Sequence, residues 1–435
     1  MEEWATSKAT EVNAEQRNVG ALSQTGAMPS ASTLPSYTGR FPLLGFPCPR
    51  PKLYITAEED DFDGSIVSDW RGEGFEVEYF SMGGSKEEYL EKLRDLSAKE
   101  LGPCEKFGII AFGDAAALCL EHYHLVDNNP QFKLGLLVAY YPSSIPDPNA
   151  RFPSSINTLV HLTTNEEINV KETSKMLGVA LTRRNTRKKV GTGFGVGGSL
   201  HLAYPTYTYK AEPGFAEHDM EEYDRVSAEL AWSRSLAAAR RAFGNEMEAE
   251  NLLETITQRK FLQKDHSGPE DIYTKHKTPH VTNVPTMTGG TGTEELKTFY
   301  RDFFQNSPSL KVSLLSRTIG SDRAVDEMYV RFRHTRMTPW ILPGVPPTNK
   351  KVEIVMVSIV TMRGSKLYHE HVYWDQASVL VQVGLLDPTL VPKGSGIQRL
   401  PVVGKEATKR MIKNCDWDEG GAHNELILGD YSDTK

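Results

Sequence analysis

The feature that most constrains this chain is a change of pattern near residue 246. From about residue 50 to 244, short apolar runs alternate with amphipathic helices. The runs at 52–56, 75–80, 106–112, 134–141, 158–162 and 205–209 are rich in Val, Ile, Leu and Tyr and are apolar on both faces. Strands of that kind belong inside a parallel sheet covered by helices on each side. Ser85 and Glu88 have capping-box spacing and open a helix that carries Tyr89, Leu93 and Leu96 inward. A longer helix is expected over 217–243, with Tyr223, Val226, Leu230 and Ala237 at helical spacing and Gly244 at its C-terminal cap. This alternation predicts a doubly wound α/β domain. Beyond 246 the order becomes helices at 246–264, about 270–276 and 294–304, with a turn-rich segment at 285–292. Strands follow at 309–319, 324–334, 352–362 and 366–375. Helices followed by a run of strands predict α+β with an antiparallel sheet.

The organisation expected is a flexible tail over 1–40, an α/β domain over 41–245, an α+β domain over 246–395 and a C-terminal tail over 396–435. A chain of 435 residues with 39% hydrophobic residues has the apolar mass for two large cores. A net charge of -8 argues against nucleic acid or an anionic membrane as the main partner. The first residues lack the basic and apolar regions of a secretory signal, and no stretch approaches the roughly 20 apolar residues of a membrane span. Cys48, Cys104, Cys119 and Cys415 are far apart, without zinc-type spacing, which suits free thiols and a cytoplasmic location. No feature demands a metal or a cofactor.

The segment Lys106–Leu120 (KFGIIAFGDAAALCL) resembles the strand–turn–helix of the dienelactone hydrolase family. The likeness continues through YYPSS, the VHL strand and the helix containing Ala231-Trp232-Ser233-Arg234, and covers about 50–244. It implies an α/β-hydrolase-like sheet with a nucleophile on a sharp turn, an acid after the VHL strand and a histidine in an H-G-F sequence. This chain has Gly113 at the nucleophile position, Asn165 (or, one residue on, Glu166) at the acid position and Pro213 in place of histidine. The resemblance therefore implies a hydrolase scaffold without its triad. Cys119 reads as core and Cys104 has no histidine partner. Gly193–Gly198 fits a dinucleotide pattern only formally and reads as a glycine loop. The basic run Arg183–Lys189 reads as a solvated loop.

The second half is similar to SnoaL-like domains, a cone-shaped α+β barrel shared with polyketide cyclases, ketosteroid isomerase and nuclear transport factor two. The residues that carry this are Val284–Gly290, Ser316–Gly320, Val325–Glu327, Leu342–Thr348 and above all His369–Gly384. Asn283 stands where the family often has histidine. The resemblance implies an apolar cone with a few polar groups. Alternation places Met328, Val330, Phe332 and His334 on one apolar face, with His334 pointing inward. It places His369, His371, Tyr373 and Asp375 together on another face. The resemblance assigns Asp375 as the acid/base, with burial raising its pKa. His371, His334 and Tyr373 are the remaining catalytic candidates, and Trp340, Phe332, Asn283 and Trp374 are the substrate-binding ones.

Together these features point to a cyclase or isomerase of secondary metabolism acting on an apolar polyketide or terpenoid. The chemistry is either proton transfer or templated pericyclic, Diels–Alder type, ring closure. The alternatives are a lactone or ester hydrolase with a rearranged site, or a non-catalytic ligand-binding protein. A hydrophobic small molecule is the expected partner, and a homodimer the expected assembly.

Overall fold

The computed structural model describes residues 50–98, 101–102, 105–164, 167–176, 179–190, 202–245, 249–258, 260, 272–304 and 307–412, all within one compact unit. The first sheet contains β1 (Lys52–Ala57), β2 (Glu76–Ser81), β3 (Phe107–Phe112), β4 (Leu134–Tyr140), β6 (Asn157–Thr163) and β9 (Thr206–Tyr209). Its order is β2-β1-β3-β4-β6-β9, and every pair is parallel. Helices α2 (Lys86–Ala98) and α3 (Gly113–Tyr123) cover one face, where Tyr89, Leu93 and Leu120 pack on Phe107, Ile109 and Leu137. Helices α1 (Gly64–Gly72) and α4 (Arg225–Phe243) cover the other, where Trp70 and Leu236 pack on Ile55, Ile110 and Val138. Strands buried on both sides are what the unbroken apolar runs require.

Two expectations for this half are corrected. Helix α4 begins at Arg225, capped by Asp224, rather than near 217. Its buried stripe is Ser227, Ala231, Ser235, Leu236 and Ala239, while Val226 is 68% exposed. Apart from Leu236 the stripe consists of small residues, where polar atoms of the sheet come close. Ser235 Oγ lies 2.8 Å from Tyr140 Oη and 2.9 Å from His161 Nε2. A search for large apolar residues cannot see such a stripe. The basic run read as a loop falls in β8 (Val179–Lys189), antiparallel to β7 (Glu167–Met176), which also pairs with β5 (Ser144–Pro146).

After α5 (Glu250–Thr257), the second sheet comprises β10 (His280–Asn283), β11 (Thr288–Thr291), β12 (Lys311–Ile319), β13 (Arg323–Arg333), β14 (Lys351–Arg363) and β15 (Lys366–Trp374). Its order is β11-β10-β15-β14-β13-β12. It is antiparallel except where β10 runs parallel to β15, which corrects the all-antiparallel expectation. Strand β11 lies in the segment read as a turn. Gly289 has φ +143°, and a Cβ there would run into the Val281 carbonyl, so glycine permits this pairing. Helix α6 (Gly292–Phe299) changes to π-helical winding over Tyr300–Phe304. Helices α7 (Gln376–Val383) and α8 (Glu406–Ile412) follow β15. α8 lies in the expected tail, and its Thr408 Oγ1 donates to the Glu353 carbonyl at 3.2 Å.

A buried charged cluster joins the two halves. Arg363, at the end of β14, donates to Glu229 of α4 at 2.6 Å and to Asp322 at 3.2 Å. Asp322 also accepts from Ser233 of α4 at 2.6 Å. Glu73 accepts from Arg240 at 2.8 Å and from the Gly364 N–H at 3.0 Å.

Candidate active site

The turn between β3 and α3 has elbow geometry, with Gly113 at φ +53°. The Asp114 N–H, one residue on, donates to the Glu58 carboxylate. A Cβ at Gly113 would meet that same carboxylate. The backbone N–H at this turn is thus already occupied by a side chain of the chain itself. Pro213 lies half-buried in a turn. Asn165, Glu166, Cys104 and Gly193–Gly198 lie outside the described residues. Cys119 is fully buried beside Tyr89 Oη, 3.2 Å away, and burial pushes its thiol up to about 12, so it is no thiolate nucleophile. Ser65, His218 and Asp63 cluster nearby, but both Ser65 Oγ (2.9 Å) and Asp63 Oδ2 (2.8 Å) meet the same imidazole nitrogen, Nδ1. A triad relay needs the two partners on opposite ring nitrogens.

Gly113→Ser is expected to lower stability by about 1–2 kcal/mol, the cost of a side chain in left-handed backbone. It is expected to create no esterase activity, and urea unfolding with an ester-hydrolysis assay checks both. Beside the elbow, burial raises the Glu217 carboxyl to about 7 from 4.5, against a hydrogen bond from Tyr141 Oη that opposes the shift. A raised acid stabilises the fold in its protonated form, fully below about pH 4.5 and no longer as pH rises through 7. Glu217→Gln keeps the acceptor and removes the charge. It is expected to raise stability at pH 8 by roughly 2 kcal/mol, allowing for partial exposure, and to change little at pH 4.

A second polar centre lies in the core of the other half. Glu370, on β15, is 6% exposed. It forms a salt bridge with the buried ammonium of Lys260 and accepts from Ser358 Oγ at 2.8 Å. Tyr300 sits at the switch from α to π winding, a rare geometry frequent at functional sites. Its hydroxyl accepts from Tyr273 Oη at 3.2 Å. Burial, then the Glu370 charge, pushes the Tyr300 phenol far above its ordinary range. Burial opposes the charge of Lys260, but the Glu370 carboxylate beside it leaves its pKa raised. The Lys260 ammonium therefore stands beside Glu370 and next to a neutral phenol. Lys260, Glu370, Tyr300 and Asn283 line a small cavity with Trp340, Phe299, Met328 and Met356. Its volume is about 20 Å³, room for one water. A ligand larger than water needs the walls of this cavity to move.

Of the residues expected at the site, Asn283 and Trp340 line this cavity. Asn283 Nδ2 donates to Thr288 Oγ1 at 3.1 Å, and Trp340 Nε1 to Ser307 Oγ at 3.1 Å. Trp374 is buried edge-on to Trp340, with ring centres 5.9 Å apart, and bonds Gln376. Phe332 and His334 are buried on the face expected for them. His334, however, is held by Thr348, whose N–H donates to Nδ1 at 3.2 Å, and neither residue lines the cavity. Asp375 is corrected: it is exposed and caps α7, accepting from the Ser378 N–H at 3.2 Å. His371 and Tyr373 share a face as expected, but it is the face away from the cavity, and Tyr373 is 40% exposed. The inward face carries Glu370, Val372 and Trp374. Its signal was present in the sequence, since Val372 and Trp374 are more apolar than His371 and Tyr373. Lys260, Tyr273 and Tyr300 had no such signal, being brought in from separate segments.

No family model matches the chain, and no curated protein is similar to it in sequence. Solved structures similar to part of it include TsrD from Streptomyces laurentii, at 15% identity and a TM-score of 0.27, covering 32% of this chain and 95% of its own. A protein from Jannaschia sp. CCS1 assigned as a SnoaL-like polyketide cyclase is 16% identical, with a TM-score of 0.27, covering 33% of this chain and 98% of its own. A Catenulispora acidiphila protein with a ketosteroid isomerase-like fold is 14% identical, with a TM-score of 0.26, covering 33% and 98%. By its own geometry, the chain combines a doubly wound parallel α/β sheet with a mixed α+β sheet enclosing a buried acid–base cluster.

Proposed function

We propose that the chain is a cyclase or isomerase acting on an apolar secondary metabolite, of the polyketide or terpenoid kind, by proton transfer in the cavity of the second half. The observation that carries this reading is the Lys260–Glu370 pair, charged and buried, facing a cavity walled otherwise mainly by apolar and aromatic side chains. Buried charges are costly, and a pair aimed into a cavity is the arrangement expected of a proton-transfer site. Glu370 is placed to take a proton from a carbon beside a carbonyl. The ammonium of Lys260 stabilises the enolate that develops, and the neutral Tyr300 hydroxyl donates to it. Glu370 thus takes the role first expected of Asp375. The first half serves as scaffold, its elbow blocked by Glu58.

Comparing the metabolites of a producing strain with and without this gene tests the class. An uncyclised or unisomerised precursor is expected to accumulate in the deletion, and an unchanged profile contradicts the reading. The homodimer remains part of the proposal. Edge strand β12 exposes Leu314, Leu315 and Ile319, an apolar strip suited to pairing. Light scattering at micromolar concentration is expected to give twice the chain mass.

A further inference from the structure

Behind the proposed active site, on the opposite face of β15, three histidines meet. His369 and His371 stand two apart on β15. His280 lies on the adjacent parallel strand β10, in register with His369. One ligand atom from each lies within 4.8 Å of the others. His280 Nε2 and His371 Nε2 are 3.3 Å apart. Two nitrogens on one tetrahedral zinc, each bonded at about 2.0–2.1 Å, would be separated by about 3.3–3.4 Å. The His369 ring stacks on both neighbours, at 4.8 Å and 14° to His280 and 4.9 Å and 28° to His371. It is 8% exposed, and its buried Nδ1 has no hydrogen-bond partner. An imidazole nitrogen buried without a partner is uncommon and calls for an explanation such as an ion.

We infer that His280, His369 and His371 form a binding site for a divalent first-row transition metal, zinc being the test ion. The donor set is three neutral imidazoles, which suits zinc and its neighbours and leaves one coordination position for water or a ligand atom. All three rings are held below their ordinary range, mainly by burial, and His369 falls to about 3. The charges acting on the cluster are mixed: Arg225, Arg323 and Arg363 oppose a cation, while Glu229 and Glu370 favour it. His280 and His371 are half-buried, which leaves a route for the ion. The site carries no local sequence pattern, because His280 is 89 residues before His369 and no zinc-type spacing links them.

The test is calorimetric titration of metal-stripped, tag-free full-length chain with zinc chloride, repeated with His280→Ala and His371→Ala. Both substitutions fall on half-buried rings, so each variant's thermal unfolding is measured without metal to establish that it folds. The expected result is one zinc per chain, with affinity weakened by about 100-fold or more in each variant, since even removing a partner of a metal ligand costs 10–100-fold. Cobalt is expected to give a tetrahedral-type visible spectrum with the native chain and none with His280→Ala. Absence of zinc binding by the native chain, or weakening of less than about 10-fold in both folded variants, would overturn the assignment.

Discussion

Lys260→Met is expected to destabilise the folded chain by about 3–5 kcal/mol, because it leaves the Glu370 carboxylate buried without its counter-charge. Ser358 remains as one donor to Glu370, which does not replace a cation. The double variant Lys260→Met/Glu370→Leu removes both charges and fills the space with apolar side chains. Such replacements are often neutral or stabilising, so the double variant is expected to recover most of the loss. Urea unfolding of the native, single and double variants at fixed pH gives the coupling directly. A single variant that loses under about 1 kcal/mol would mean that Glu370 finds water, and that the pair is not buried as described.

The second large effect is expected at the junction of the two halves. Arg363 is 7% exposed, pairs with Glu229 and Asp322, and lies 5.2 Å from the centre of the Trp232 ring. Arg363→Met leaves Asp322, only 2% exposed, with Arg323 and Ser233 as its remaining partners. Breaking such a pair costs about 3–5 kcal/mol, in a cluster that ties α4 to β14. The cluster holds Asp322 in its charged form. Burial opposes this, but the guanidinium groups of Arg323 and Arg363 and the Ser233 hydroxyl keep its carboxyl below the ordinary range. That contribution is present at neutral pH and lost as pH falls through the lowered value. The native chain is therefore expected to lose stability on acidification more steeply than Arg363→Met. Unfolding curves across the acid range check the difference.

The parallel sheet was legible because its strands are apolar on both faces, a pattern that admits few other structures. The four long strands of the second sheet were legible from their alternation. What escaped has physical causes. The buried stripe of α4 is mainly Ala and Ser, with Leu236, and close approach rather than hydrophobicity sets it. Strand β11 depends on Gly289, which reads as a turn residue. On β15 both faces carry polar side chains, and the resemblance places the acid at Asp375. That puts it on the face of His371 and Tyr373. The buried acid is Glu370, on the opposite face of the same strand. Lys260 and Tyr300 were beyond any local pattern, since only the folded chain brings them to Glu370.

The account rests on Lys260 and Glu370 carrying the chemistry. The most direct test is product formation in a deletion strain complemented with Lys260→Met/Glu370→Leu, a variant expected to fold. The prediction is loss of product, with the same precursor accumulating as in the deletion and the chain present at normal level. Product formed at the native rate by this double variant would contradict the account, and would leave ring closure without proton transfer, or simple ligand binding, in its place.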